Sequence, residues 1–192
     1  MTGPTATLDP RLAEMLDHHD VRKTLARYCC GTDRCDLARM ASVYCDESFD
    51  DHGIYAAPGH AFADIMMREI RAQTDSISHL LGQSQIRVDG DTAAAETYFL
   101  AVAHATDEDG TRLCNQLGGR FVDRLRRQED GDWLIEHRVL LRDWAITLPV
   151  EADWTANSGL ADGCRSGADP VFAALGLTHG GAGGGVEARH AG

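Results

Sequence analysis

The sequence predicts an α+β domain in which helices come first and an antiparallel sheet follows. Three observations carry that expectation. Extended helical periodicity is confined to the first part of the chain, as at Phe62, Ile65, Met66 and Ile70. After Ser76 the chain reads as four long strands parted by acidic glycine turns: Asp89-Gly90-Asp91, Asp107–Gly110 and Glu129–Asp132. Glycine in each short turn is a hairpin signal, so the strands should be sequential and antiparallel. A run of helices before such a meander puts the helices on one face of a curved sheet and leaves a cavity at one end.

Residues 1–8 read as a loose leader. Asp9-Pro10 then opens a helix, with proline at a tolerated first-turn position. Leu12, Met15 and Leu16 recur at helical spacing, as do Val21, Leu25 and Tyr28, so the run to Cys30 is one helix or two with a break near His18–Asp20. Gly31 is the expected stop, and Asp33 falls in the turn beyond it. Leu37, Met40, Ala41 and Val43-Tyr44 suggest a short second helix. Phe49 to Tyr55 reads as extended, Pro58-Gly59 as a turn, and Ala61–Gln73 as a third helix. The strands are expected over Leu80–Val88, Ala93–Ala105, Arg112–Arg127 and Trp133–Leu148. Gly118-Gly119 inside the third of these marks a bulge or bend that lets the sheet curl.

The domain is therefore expected over residues 9–149. Residues 150–177 still hold Trp154, Leu160, Val171, Phe172 and Leu175, enough for a covering segment or short helix. The near-continuous glycine run Gly181–Gly185 cannot pack a core, so 178–192 is expected to be a disordered tail.

A chain of 192 residues can bury a core without metal or disulfides. Its formal charge of −12 would repel nucleic-acid phosphates and anionic membrane surfaces. No basic start with an apolar run opens the chain, and no segment has the length of a membrane span. Six cysteines without framework spacing fit reduced thiols in a cytoplasmic protein. Asp50-Asp51-His52 and Asp17-His18-His19-Asp20 carry metal-capable side chains but read as solvated, carboxylate-rich faces, and Arg124–Arg127 as a solvated strand end. No cofactor and no metal is expected. A small molecule is the expected partner.

Tyr28, Asp33, His79 and His104 are the residues most capable of chemistry. Tyr28 and Asp33 flank the end of the first helical region, and His79 opens the first long strand. His104 lies on the second strand in phase with Tyr98, Leu100 and Val102, a face that could line the hollow side of the sheet. A carboxylate beside an imidazole fixes the ring in one tautomer and makes it a better base. Spacing alone does not join Asp33 to His79, and a satisfied core or surface histidine remains the alternative.

The run Leu25–Tyr28, Gly31-Thr32-Asp33, Leu37–Tyr44 and Cys45-Asp46-Glu47 resembles the opening of SnoaL-like, nuclear-transport-factor-2-like domains. His79, Asp89–Ala93, Gly119–Leu125, Gly131-Asp132-Trp133 and Arg138 continue the likeness across residues 18–148. The resemblance implies a cone-shaped α+β barrel, a fold that hosts many functions. Within it the sequence is most similar to the branch of scytalone dehydratase, hexachlorocyclohexane dehydrochlorinase and bile-acid dehydratase. The likeness implies Asp33 and His79 as a proton-abstracting dyad, Tyr28 as hydroxyl donor and His104 as a second histidine. It also implies a late arginine at Arg138, Arg142 or Arg126, with Tyr98 and Tyr44 as further substrate contacts. The dehydrochlorinase lysine is absent, Cys29-Cys30 standing in its neighbourhood, which points away from halide loss and toward loss of water. The expected activity is a cofactor-independent lyase on a hydrophobic cyclic or aromatic molecule. An isomerase or cyclase using the same base, or a non-catalytic binding domain, are the alternatives. A homo-oligomer, dimer or trimer, is expected to form through the convex sheet faces.

Overall fold

A computed structural model describes residues 8–150 and 159–181. In chain order the elements are α1 (Pro10–Asp33), α2 (Leu37–Ala41), β1 (Tyr44–Asp51), β2 (Ala56–Pro58), α3 (Gly59–Gln73), β3 (Ser76–Asp89), β4 (Thr92–Thr106), β5 (Arg112–Arg127), β6 (Trp133–Pro149) and α4 (Pro170–Leu175). The strands form one curved sheet in the order β2-β1-β6-β5-β4-β3. All neighbours are antiparallel except β1 and β6, which run parallel. This is the α+β architecture expected, with α1 and α3 laid on the inner face.

The first helix departs from its sequence reading. It runs without a break past His18–Asp20 and through Gly31, ending at Asp33. Gly31 is therefore not a stop. It sits where α2 crosses, and a Cβ there would lie 2.6 Å from the Met40 amide nitrogen. The chain turns instead at Cys35, a left-handed residue with φ 50°, and Asp36 caps α2 by accepting from the Arg39 amide at 3.0 Å. Gly31→Ala is expected to destabilise the fold by about 1–3 kcal/mol through overpacking. An unchanged urea midpoint would contradict that crossing.

Burial along α1 begins late. Leu12, Met15 and Leu16 are exposed, whereas Val21, Leu25 and Tyr28 are core. The first half is pinned by polar contacts. Asp17 accepts from both terminal nitrogens of Arg127 at 2.6 and 3.0 Å, and the Arg127 guanidinium lies 4.4 Å over the buried Trp133 ring. Arg127 beside Asp17 holds that carboxyl below its ordinary value. Asp17 and Arg127 thus form a joint between helix and hairpin where the sequence suggested two solvated faces. Thr24 strengthens the joint, donating to the Trp133 carbonyl at 2.5 Å.

The core is built from Leu25, Phe62, Met67, Phe99, Phe121, Leu125, Trp133 and Ile135. On β4 the inward residues are Ala93, Ala95, Thr97, Phe99, Ala101 and Ala103. Small side chains leave room there for helices and pocket, so Tyr98, Leu100, Val102 and His104 take the outer face. Register carries that outer face across Leu80, Val122, Leu141, Trp144, Ile146 and Leu148, all exposed. The sheet bends as the paired glycines predicted: the β5–β6 register shifts between Gly118 and Gly119, where the Trp144 indole lies across the bare backbone.

Residues 159–181 fold back onto the C-terminal ends of α1 and α3. Arg165 donates to the Thr74 carbonyl and hydroxyl at 2.7 Å each, and Phe172 of α4 is buried. His179 Nε2 donates to the Arg34 carbonyl at 3.3 Å, and the Gly180 amide to Asp36 at 3.1 Å. A Cβ at Gly180 would come within 2.2 Å of the Ala38 Cβ, so glycine here serves contact. The tail expected from 178 onward therefore packs through 181, and the rest of it, like Trp154 and most of the leader, lies outside the described residues.

Candidate active site

Asp33 is the last residue of α1 and His79 the fourth of β3, and the inner face brings them together. Asp33 Oδ1 lies 2.6 Å from His79 Nδ1 while Oδ2 accepts the His79 backbone amide at 3.0 Å. One carboxylate therefore clasps both the ring and the main chain that carries it. A carboxylate oxygen accepts, so Nδ1 is the donating nitrogen of this contact and Nε2 is the ring nitrogen that Asp33 does not engage. The His79 side chain is 9% exposed and that of Asp33 17%, a recessed pair that is still accessible. The His79 ring stands 6.2 Å from Phe99, which stacks on Phe121 with centroids 4.3 Å apart. Both phenylalanines are buried, so the recessed dyad is backed directly by the aromatic core.

Behind Phe121 lies a buried polar cluster. Asp50, Arg138 and Asp123 sit side by side in the registers of β1, β6 and β5. Arg138 and Asp123 form a fork, Nε to Oδ1 at 2.7 Å and Nη2 to Oδ2 at 2.9 Å, with both side chains 0% exposed. The Arg138 guanidinium is sandwiched 4.2 Å from the Tyr28 ring and 4.1 Å from Phe121. Burial pushes the Asp123 carboxyl above its ordinary value even with Arg138 against it, while the facing carboxylates hold Arg138 firmly protonated. Tyr28 and Tyr44 are also driven up by burial, so both phenols stay neutral and can donate. Tyr44 does so, its hydroxyl 2.5 Å from Asp50 Oδ2.

The other sequence-predicted residues fall elsewhere. His104 is on the outer face, its Nδ1 3.2 Å from the Ser76 hydroxyl, and Tyr98 is on the same face with Arg120 over its ring. Neither shares the inner face with the dyad, because the alternation of β4 has the opposite phase from the one read in the sequence. Arg142 is exposed, and Arg126 is an exposed partner of Glu136. Arg138 lies sealed in the core behind the dyad, between Tyr28 and Phe121, rather than at a surface contact. Cys29 is buried and its thiol is pushed up to about 12, which leaves it unreactive at neutral pH.

Asp50 and His52, which read in the sequence as a solvated acidic face, are recessed instead. Asp50 is fully buried, and the His52 side chain is 12% exposed with Nε2 3.0 Å from Asp50 Oδ1. For Asp50 the signal was present in the alternation of β1: Ser48 and Asp50 share the buried side, opposite Phe49 and Asp51, and His52 follows just past the strand's end. A shallow open hollow also lies along the first half of α1, near Leu12, Met15 and His19, but its described lining comes from that helix alone. Among the described residues no cluster of metal-ligating side chains occurs, and no helix is long and apolar enough to cross a membrane.

Comparison with known proteins agrees with this architecture. No curated protein sequence matches the chain. Among solved structures, the chain is similar to a protein provisionally named a scytalone dehydratase from Novosphingobium aromaticivorans, at TM-score 0.63 and 18% identity. That match covers 78% of this chain and 97% of the other. A hexachlorocyclohexane dehydrochlorinase (LinA, type 2) matches at TM-score 0.65 and 14% identity over 78% and 99% of the two chains. A Mycobacterium tuberculosis protein of unknown function matches at 0.60 and 22% over 89% and 91%. At these identities the likeness is one of fold. The profile of the SnoaL-like domain matches residues 13–139, two thirds of the chain, and the protein belongs to that family.

Proposed function

We propose that the protein is a cofactor-independent lyase that removes water from a hydrophobic cyclic or aromatic small molecule. The observation that carries this reading is the double grip of Asp33 on His79, which fixes the ring through Nδ1 and leaves Nε2 free of Asp33, beside Phe99. A base held this way takes a proton from carbon next to a carbonyl without metal or nucleotide. Tyr28, neutral because of its burial, is the hydroxyl donor of the reading, opposing the charge that develops on the carbonyl oxygen. The fold neighbours named for dehydration and dehydrochlorination support elimination as the class. The same reading has the chain assemble as a homo-oligomer, with the apolar outer face around Leu80, Trp144 and Ile146 as the contact.

β-Hydroxytetralone is a suitable probe, because loss of water turns it into a fluorescent naphthol. Turnover with loss of water by mass is the expected result. An isomerase would return a product of unchanged composition carrying deuterium from heavy water. A binding domain would show only a thermal shift.

A further inference from the structure

We propose that Arg165, on the returning C-terminal segment, is a positioning residue for the Asp33–His79 dyad. The inference rests on the reading of that pair as the base and deepens it. Asp33 ends α1, and His79 lies near the start of β3. Their 2.6 Å contact depends on how two junctions of the chain are held together. One is the turn Arg34–Asp36 that follows α1, and the other is Thr74-Asp75 between α3 and β3.

Of the two carriers, β3 is the less restrained. It is an edge strand, paired to β4 alone, and that pairing is interrupted between Leu81 and Ser84. A strand held by one ladder opens and shifts more readily than a central one. The residues from Ser76 to His79 therefore need a fixed point where β3 leaves α3.

Arg165 supplies that point. Its Nη1 donates to the Thr74 carbonyl and its Nη2 to the Thr74 hydroxyl, each at 2.7 Å. The hydroxyl in turn donates to the Ile70 carbonyl at 2.7 Å, so the planar guanidinium locks the last turn of α3 to the first step of β3. The same segment grips the other junction. There His179 reaches the Arg34 carbonyl, and the Gly180 amide donates to Asp36. Between the two grips the segment is stiff. Asp169 accepts from the Cys164 amide at 3.3 Å and from the Val171 amide at 3.0 Å, which caps α4. Phe172 is buried, edge-on to His179 at 5.2 Å and 5.9 Å beneath the Arg39 guanidinium of α2. A stiff segment tied at both ends fixes the separation of its anchors, and these anchors carry Asp33 and His79. Arg71, donating to the Cys35 carbonyl at 2.9 Å, ties α3 to the turn after Asp33 but leaves the start of β3 to Arg165. Arg165 acts through Thr74 and the backbone that leads from it to His79.

A brace that only stabilises the fold would change the melting temperature and leave the dyad as it is. A positioning residue changes the dyad itself. Proton NMR of the full chain reads this directly, through the downfield His79 Nδ1–H resonance, assigned by its loss in His79→Ala. Arg165→Met is expected to shift or broaden that resonance well below the melting temperature. It should also lower kcat on β-hydroxytetralone by about 10–10²-fold, the scale of loss when a reacting group is misplaced by an ångström, with KM little changed. Arg165→Lys, which can reach one Thr74 oxygen but not span both, should fall between wild type and Arg165→Met, and it carries the test if Arg165→Met unfolds. A resonance unmoved in Arg165→Met, or a wild-type kcat despite a moved one, would overturn the positioning role and leave the dyad standing. A wild-type chain inert toward β-hydroxytetralone would overturn the dehydratase reading, and the resonance alone would then decide the role of Arg165.

Discussion

His79→Ala lowers turnover of β-hydroxytetralone by about 10²–10⁴-fold, the span set by general acid–base catalysis. The expectation follows from the geometry of the pair. Nε2 is the one ring nitrogen left bare, because Asp33 occupies Nδ1 at 2.6 Å. Alanine removes the base and leaves Phe99 and the core behind it in place. Ligand binding, read as a thermal shift with naphthol, should persist. Asp33→Asn tests the other half. The amide can still accept the His79 main-chain amide but no longer favours the Nδ1–H tautomer, so activity should fall while the melting temperature holds. Near-wild-type turnover in His79→Ala would end the dyad reading.

Arg138→Met carries the largest expected cost in stability, about 3–5 kcal/mol. Methionine fills much of the same volume between Tyr28 and Phe121, so the loss is mainly electrostatic: Asp123 and Asp50 remain buried without their guanidinium. The sign of the pH dependence follows from Asp123. Its folded carboxyl already sits above its unfolded value, and removing Arg138 removes an influence that lowers it. The variant should therefore lie nearest to wild type at acidic pH, where Asp123 is protonated in both states. The deficit should grow as pH rises through the raised value. Denaturant midpoints across that range measure it. Adding Asp123→Leu should restore most of the loss, because replacing both partners by apolar groups is far less costly than orphaning one. A deficit independent of pH, or a double variant no better than the single, would contradict this account.

The sequence by itself determined the class of fold, the order of the elements and two of the residues that meet. These rest on local causes. Helical periodicity, acidic glycine turns and a glycine pair at a sheet bend act within a few residues and need no partner from far along the chain. Asp33 and His79 were named through family likeness, and they meet because α1 ends where β3 begins its inner face. What the sequence could not decide was set by contacts between distant segments. The inward face of β4 is the alanine face, since helices and pocket take up the space that larger residues would fill, and this sent Tyr98 and His104 outward. Gly31 looked like a helix stop and is instead a crossing point for Met40, a distinction made only by the approach of another helix. Arg138 was expected at a substrate and lies sealed against Asp123, a partner across a strand pair. Asp50 and His52 looked like solvent-facing acids because charge in a short loop-like stretch usually is. Only the parallel pairing of β1 with β6 carries Asp50 inside, next to the buried Arg138 guanidinium, and His52 follows it at the end of the strand.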